Sequence, residues 1–150
     1  MKLKIINSCI LSLFFISIAA QSNELKLFTT DGCSSFPDGT FNQRSEWLNC
    51  CVSHDLAYWK GGTKEERLQA DEALKTCVTN VGEPEIAKIM LAGVRVGGTP
   101  YLPTSFRWGY GWSQSRGYKA LSDEERKEVK DKLELLKSII DSTLENQEEK

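Results

Sequence analysis

The sequence predicts an all-α domain: a disulfide-clamped antiparallel helical hairpin carries the candidate site, and additional packing helices surround it. Two apolar patterns of helical period meet at Gly61-Gly62, and Thr63-x-x-Glu66 forms a capping box that opens the second arm. Four cysteines, Cys33, Cys50, Cys51 and Cys77, bracket that pair. Further helix-period stripes follow over Glu85–Val96 and from Ser122 onward.

At 150 residues the chain has room for one domain with a modest core, and it carries neither an internal repeat nor a linker long enough to mark a second. Residues 1–20 read as a signal peptide. Lys2 and Lys4 precede the apolar run Ile10–Ile18, and Ala19-Ala20 stand before polar Gln21. The alternative is a membrane anchor, for which the run is too short to span comfortably. The expectation is a single exported domain, 21–150, secreted or periplasmic. Removing the leader and its two lysines leaves seventeen Lys and Arg against twenty-one Asp and Glu, a net charge of −4. That balance offers no nucleic-acid surface. Four remaining cysteines in an exported chain argue for two disulfides, with three possible connectivities. Pairing adjacent Cys50 and Cys51 would strain the bond, which disfavours one of the three. A zinc site is the competitor, but it wants thiolates in a reducing compartment.

The segment Thr29–Thr40, TTDGCSSFPDGT, is a loop whose backbone carbonyls can turn toward an ion. The first helix is expected from about Phe41 to Trp59. On it Trp47, Cys51, His54 and Tyr58 share one face, with Leu48, Val52, Asp55 and Trp59 on the neighbouring stripe. In the second helix Leu68, Asp71, Leu74, Val78 and Val81 recur every three or four residues. Asp71 therefore sits in an apolar stripe, where a carboxylate needs a partner. His54, the sole histidine, lies ~10 Å from the turn and Asp71 ~13 Å, nearly level across the two arms. Tyr58, one turn along, can reach the same carboxylate. Taken as an isolated pair, His54 and Asp71 read first as a buried hydrogen bond that satisfies core polarity.

Together the motifs carry more than that. CCxxHDxxY at Cys50–Tyr58 followed by DxAxxxC at Asp71–Cys77 resembles the secreted calcium-dependent phospholipase A2 superfamily. The loop Asp31–Gly39, DGCSSFPDG, looks more like its bacterial and fungal branch than its animal enzymes. The resemblance covers Asp31–Val78, about a third of the chain. It implies His54 as general base, Asp71 as the carboxylate that orients it, and Tyr58 as that carboxylate's support. It implies a calcium ion (Ca2+) held by the Asp55 and Asp31 side chains and the Gly32 carbonyl. It also implies Cys33–Cys51 and Cys50–Cys77 bridges; a simple rise count leaves the second pair about a turn out of level, so that pairing rests on the resemblance.

The chemistry is coherent on its own terms. Hydrolysing an ester near neutral pH needs a base for water, and imidazole can accept water's proton there. A carboxylate on its far nitrogen fixes the tautomer. Calcium takes hard oxygen ligands, which Asp31, Gly32 and Asp55 offer, and polarises the ester carbonyl, with the Gly32 N–H as a second donor. No serine lies in a nucleophile-elbow context, which disfavours an acyl-enzyme. The expected reaction is hydrolysis of the sn-2 ester of glycerophospholipids at a membrane surface, with no protein partner required. A catalytically silent relative that binds membranes or a partner is the rival, and retention of His54, Asp55 and Asp71 favours the enzyme.

Beyond Val81 the resemblance ends. Pro84 opens a third helix, Glu85–Val96, with Ile86, Ile89, Met90 and Val94 inward. Thr99–Lys119 is rich in aromatics and glycine, too irregular for a helix. Its rings either pack over the hairpin, the preferred reading, or insert at a lipid interface. Ser122-x-x-Glu125 caps a last helix with the stripe Val129, Leu133, Leu136, Ile140 and Leu144, expected to serve packing.

Overall fold

A computed structural model describes residues 23–148, and the expected leader lies outside them. Among the described residues the chain is helical: α1 (Leu48–Lys60), α2 (Lys64–Asn80), α3 (Pro84–Gly97) and α4 (Asp123–Glu148). There is no strand among them beyond an isolated bridge between Leu25 and Trp112. None of the described helices is long and apolar enough to cross a membrane.

α1 begins at Leu48 rather than near Phe41. The preceding loop captures the helix start: the Trp47 N–H donates to Asp38 O at 3.0 Å and its indole Nε1–H to Pro37 O at 2.6 Å. Phe41, without apolar cover, is 91% exposed. At the other end of α1, the segment after α3 supplies donors for carbonyls that a helix terminus leaves unpaired. Gly109 N donates to Tyr58 O, Gly111 N to Trp59 O, and Trp112 Nε1 to Lys60 O. Trp108 Nε1 reaches Gly62 O at 2.9 Å. A side chain at Gly111 would strike the Trp59 ring, at 2.3 Å from Cβ to Cδ1, so glycine is what allows this approach.

The capping boxes form as expected. Glu66 N donates to Thr63 Oγ1 while Thr63 N donates to Glu66 Oε2. Ser122 and Glu125 make the same reciprocal pair ahead of α4. Pro84 occupies the first turn of α3, where its missing N–H costs nothing.

Two disulfides tie the site region together: Cys33–Cys51, with Cα atoms 5.1 Å apart, and Cys50–Cys77, 5.7 Å apart. The rise count missed the level of the second pair partly because α2 starts at Lys64, after three non-helical residues, rather than at Gly62. Such bridges indicate an oxidising environment. They sit in one apolar cluster with Trp47, Leu74, Val78, Ala87 and Met90, which packs the loop, α1, α2 and α3 together. A second cluster gathers Leu25, Trp59 and Trp112, with Val129 and Leu133 of α4 against it. The aromatics of 99–119 divide: Trp108 and Trp112 are each 1% exposed, whereas Tyr101 is 72% exposed. α4 departs from expectation. Val129 and Leu133 pack, but Ile140 and Leu144 on the same stripe are exposed, because the helix runs on past the body it packs against.

Candidate active site

α1 and α2 bring His54, Tyr58 and Asp71 into one buried network. His54 Nε2 lies 3.0 Å from Asp71 Oδ1. A carboxylate can only accept, so Nε2 carries the proton and Nδ1 is left for a water. The Tyr58 hydroxyl donates to the same Oδ1 at 2.7 Å. The Tyr58 ring stacks tilted on the imidazole, with centroids 4.1 Å apart, and is braced edge-on by Trp108. Burial, reinforced by the Asp71 carboxylate, raises the Tyr58 pKa well above its ordinary range, so it stays a donor.

Asp71 is fully buried, and two arginines that the sequence reading did not single out compensate its charge. Its Oδ2 accepts no hydrogen bond of good angle, yet lies 3.2 Å from Arg95 Nε and 3.9 Å from Arg67 Nε; the charge pairing is therefore real while the hydrogen-bond geometry is poor. Arg67 is itself buried. It donates to Tyr58 Oη, to Tyr118 Oη, and to the Val94 and Arg95 carbonyls near the end of α3. Burial pulls the Arg67 pKa down, but its bonds to Tyr58 and Tyr118 and the charge of Asp71 outweigh that and leave it raised. Arg67 stands four residues before Asp71 on α2, a spacing that could have marked it. Arg95 comes from α3 and had no such signal.

Asp55 is buried on the adjacent stripe, at 8% exposure. Thr30, also unanticipated, donates its hydroxyl to Asp55 Oδ2 at 2.6 Å. Burial raises the Asp55 pKa from 3.8 to about 6, against the lowering effect of the Thr30 bond, and the Asp31 charge adds to the rise. The same two carboxylates, after burial, help push the Tyr110 hydroxyl upward, so Asp31, Asp55 and Tyr110 lie near one another. Asp31 itself accepts from Ser34 Oγ at 2.6 Å. Gly32 has φ +77°, and a Cβ there would meet Asp38 Oδ1 at 2.4 Å. Asp38 also accepts the Cys33 N–H at 2.7 Å, which shapes the turn. The expected second donor is otherwise engaged: the Gly32 N–H goes to Thr30 Oγ1 at 3.1 Å.

These residues fit a hard cation by donor chemistry. The buried Asp55 carboxylate, the Asp31 carboxylate and the Gly32 turn offer oxygen atoms only. Among the described residues there is no group of three or more His, Cys, Asp and Glu side chains that could hold a metal, so backbone oxygen and water would complete any shell.

His54, Asp55 and Tyr58 open onto a groove of about 300 Å³. Its far walls are apolar, from Phe36 of the loop, Leu74 of α2, Met90 and Val94 of α3, and Phe106. A base, a carboxylate and an apolar slot thus meet in one place.

Asp55 gives a test of its environment that needs no ligand. Its folded pKa lies above its unfolded value, so the folded chain binds the extra proton between pH 3.8 and about 6. Stability is therefore lost as pH rises through that window. Asp55→Asn keeps the acceptor for Thr30 and removes the charge. In chelator at pH 8 it should be more stable than wild type by roughly 2 kcal/mol, a gain that vanishes near pH 4. Urea unfolding of both proteins at the two pH values reads this directly, and an equal difference at both would contradict it.

No family model, curated protein or solved structure matches this chain.

Proposed function

We propose that this chain is a calcium-dependent phospholipase A2 of the secreted type, built on an antiparallel helical hairpin clamped by its two disulfides. The observation that carries the reading is the buried Asp71–His54 contact at 3.0 Å, with the imidazole opening onto an apolar groove beside Asp55. In this reading His54 Nδ1 takes a proton from water as its oxygen bonds to the sn-2 ester carbonyl carbon. Asp71, held by Tyr58 and Arg95, keeps Nε2 protonated and stabilises the imidazolium. When the carbon–oxygen bond to the glycerol breaks, the same nitrogen returns the proton to the leaving oxygen. The products are a fatty acid and a lysophospholipid. Calcium, held by the Asp31 and Asp55 carboxylates and the Gly32 carbonyl, would supply positive charge to polarise the ester carbonyl.

The groove's apolar walls suit an acyl chain, and the substrate is a phospholipid membrane surface met by an exported protein. No protein partner is needed for this chemistry. Phosphatidylcholine labelled in its sn-2 acyl group should yield labelled fatty acid and unlabelled lysophospholipid. Label retained in the lysophospholipid would contradict the assigned position of cleavage.

A further inference from the structure

α3 ends in a run containing three glycines, and only Gly98 has an evident structural reason. Gly98 caps the helix, and a Cβ there would lie 2.4 Å from Tyr58 Cε1, so a side chain would displace the ring that supports Asp71. Gly97, the last helical residue, also lines the groove, and a Cβ there would make only an ordinary contact, 3.5 Å, with Phe106 Cε2.

Gly93 has no such reason and still more open space than Gly97. It lies inside α3, and its φ is not among the positive values that favour glycine. Nothing stands within 4 Å of where its Cβ would be. Glycine is the poorest helix former short of proline, and alanine, the best, would fit without a clash. The helix gives up stability here with no gain in packing. What Gly93 does face is the groove: it lines the same cavity as His54, between the bulkier Met90 and Val94 and about 6 Å along the axis from Gly97. The missing side chain is thus a gap in one wall, set back from the reacting end.

We propose that Gly93 is a specificity-determining residue: its bare position is the notch through which a long acyl chain passes across α3 after leaving the His54 end. The preferred substrates are then phospholipids whose sn-2 chain is long enough to reach that notch. The inference rests on the phospholipase reading for the chemistry, while the notch itself concerns acyl-chain binding.

The test uses the full exported protein and two variants, Gly93→Ala and Gly93→Leu. Three quantities are measured: melting temperature, oleic acid affinity by displacement of a fluorescent fatty acid, and kcat/KM on dioleoyl against dihexanoyl phosphatidylcholine with calcium. Gly93→Ala should raise the melting temperature by about 3 °C, as expected for an unstrained helical site. Gly93→Leu should weaken oleate binding, and lower the long-chain to short-chain kcat/KM ratio, by about tenfold or more. A stability gain in Gly93→Ala together with lost long-chain use in Gly93→Leu is what a purely structural glycine would not give. A Leu variant whose oleate affinity and chain-length ratio stay within twofold of wild type would overturn the notch, and so would an Ala variant that melts lower. Oleate binding that depends on position 93 in a protein cleaving neither phospholipid would support the notch and end the phospholipase reading.

Discussion

His54→Gln should lower phospholipid hydrolysis by about 10²–10⁴-fold while leaving the fold intact, the range typical for loss of a general base. Glutamine keeps a side-chain amide that can donate to Asp71 Oδ1, so the buried carboxylate is not stranded. It offers no nitrogen that accepts a proton near neutral pH. The Tyr58 bond at 2.7 Å and the Arg95 pairing at 3.2 Å involve Asp71 independently of the imidazole and should persist. Calcium affinity should change little, since the ligands assigned to the ion are oxygens. A variant retaining more than about a hundredth of wild-type turnover would remove His54 from the role of base.

Asp55→Lys should abolish calcium-dependent hydrolysis. Asp55 lies directly after His54, and its carboxylate accepts from Thr30 of the loop at 2.6 Å. Lysine there places an ammonium where a divalent cation is expected and supplies no oxygen. The chain should still fold, because Cys33–Cys51 and Cys50–Cys77 hold loop, α1 and α2 together without the ion. Circular dichroism and calcium titration separate the two effects. Full activity in the lysine variant would sever Asp55 from the metal.

What could be read from the sequence follows from how local each signal is. His54, Asp55 and Tyr58 were legible because a 3.6-residue period sorts them onto adjacent stripes of one helix. Asp71 was legible because a carboxylate among Leu68, Leu74 and Val78 demands a partner. Arg67 carried only its spacing of four from Asp71 as a signal, and Arg95 none, because nothing local says that α3 packs beside that carboxylate. The start of α1 was not legible: the helix expected from about Phe41 begins at Leu48. Trp47 is held by two bonds to the loop at Pro37 and Asp38, which no periodicity encodes. Nor does any local pattern reveal that Trp108 and Trp112 donate to carbonyls about fifty residues earlier and so close the end of α1. The stripe of α4 was read correctly as apolar, but how much of it finds cover depends on where the rest of the chain stops.

The central claim is that His54, Asp71 and a calcium ion together hydrolyse phospholipid. One measurement addresses it most directly: fatty acid and lysophospholipid released from mixed phospholipid vesicles by the wild-type protein, in calcium and again in excess chelator. Equimolar release of both products in calcium, falling to the uncatalysed rate in chelator and restored when calcium is returned, is the predicted result. Release indifferent to chelator, or none in calcium by a folded and fully disulfide-bonded protein, would contradict it.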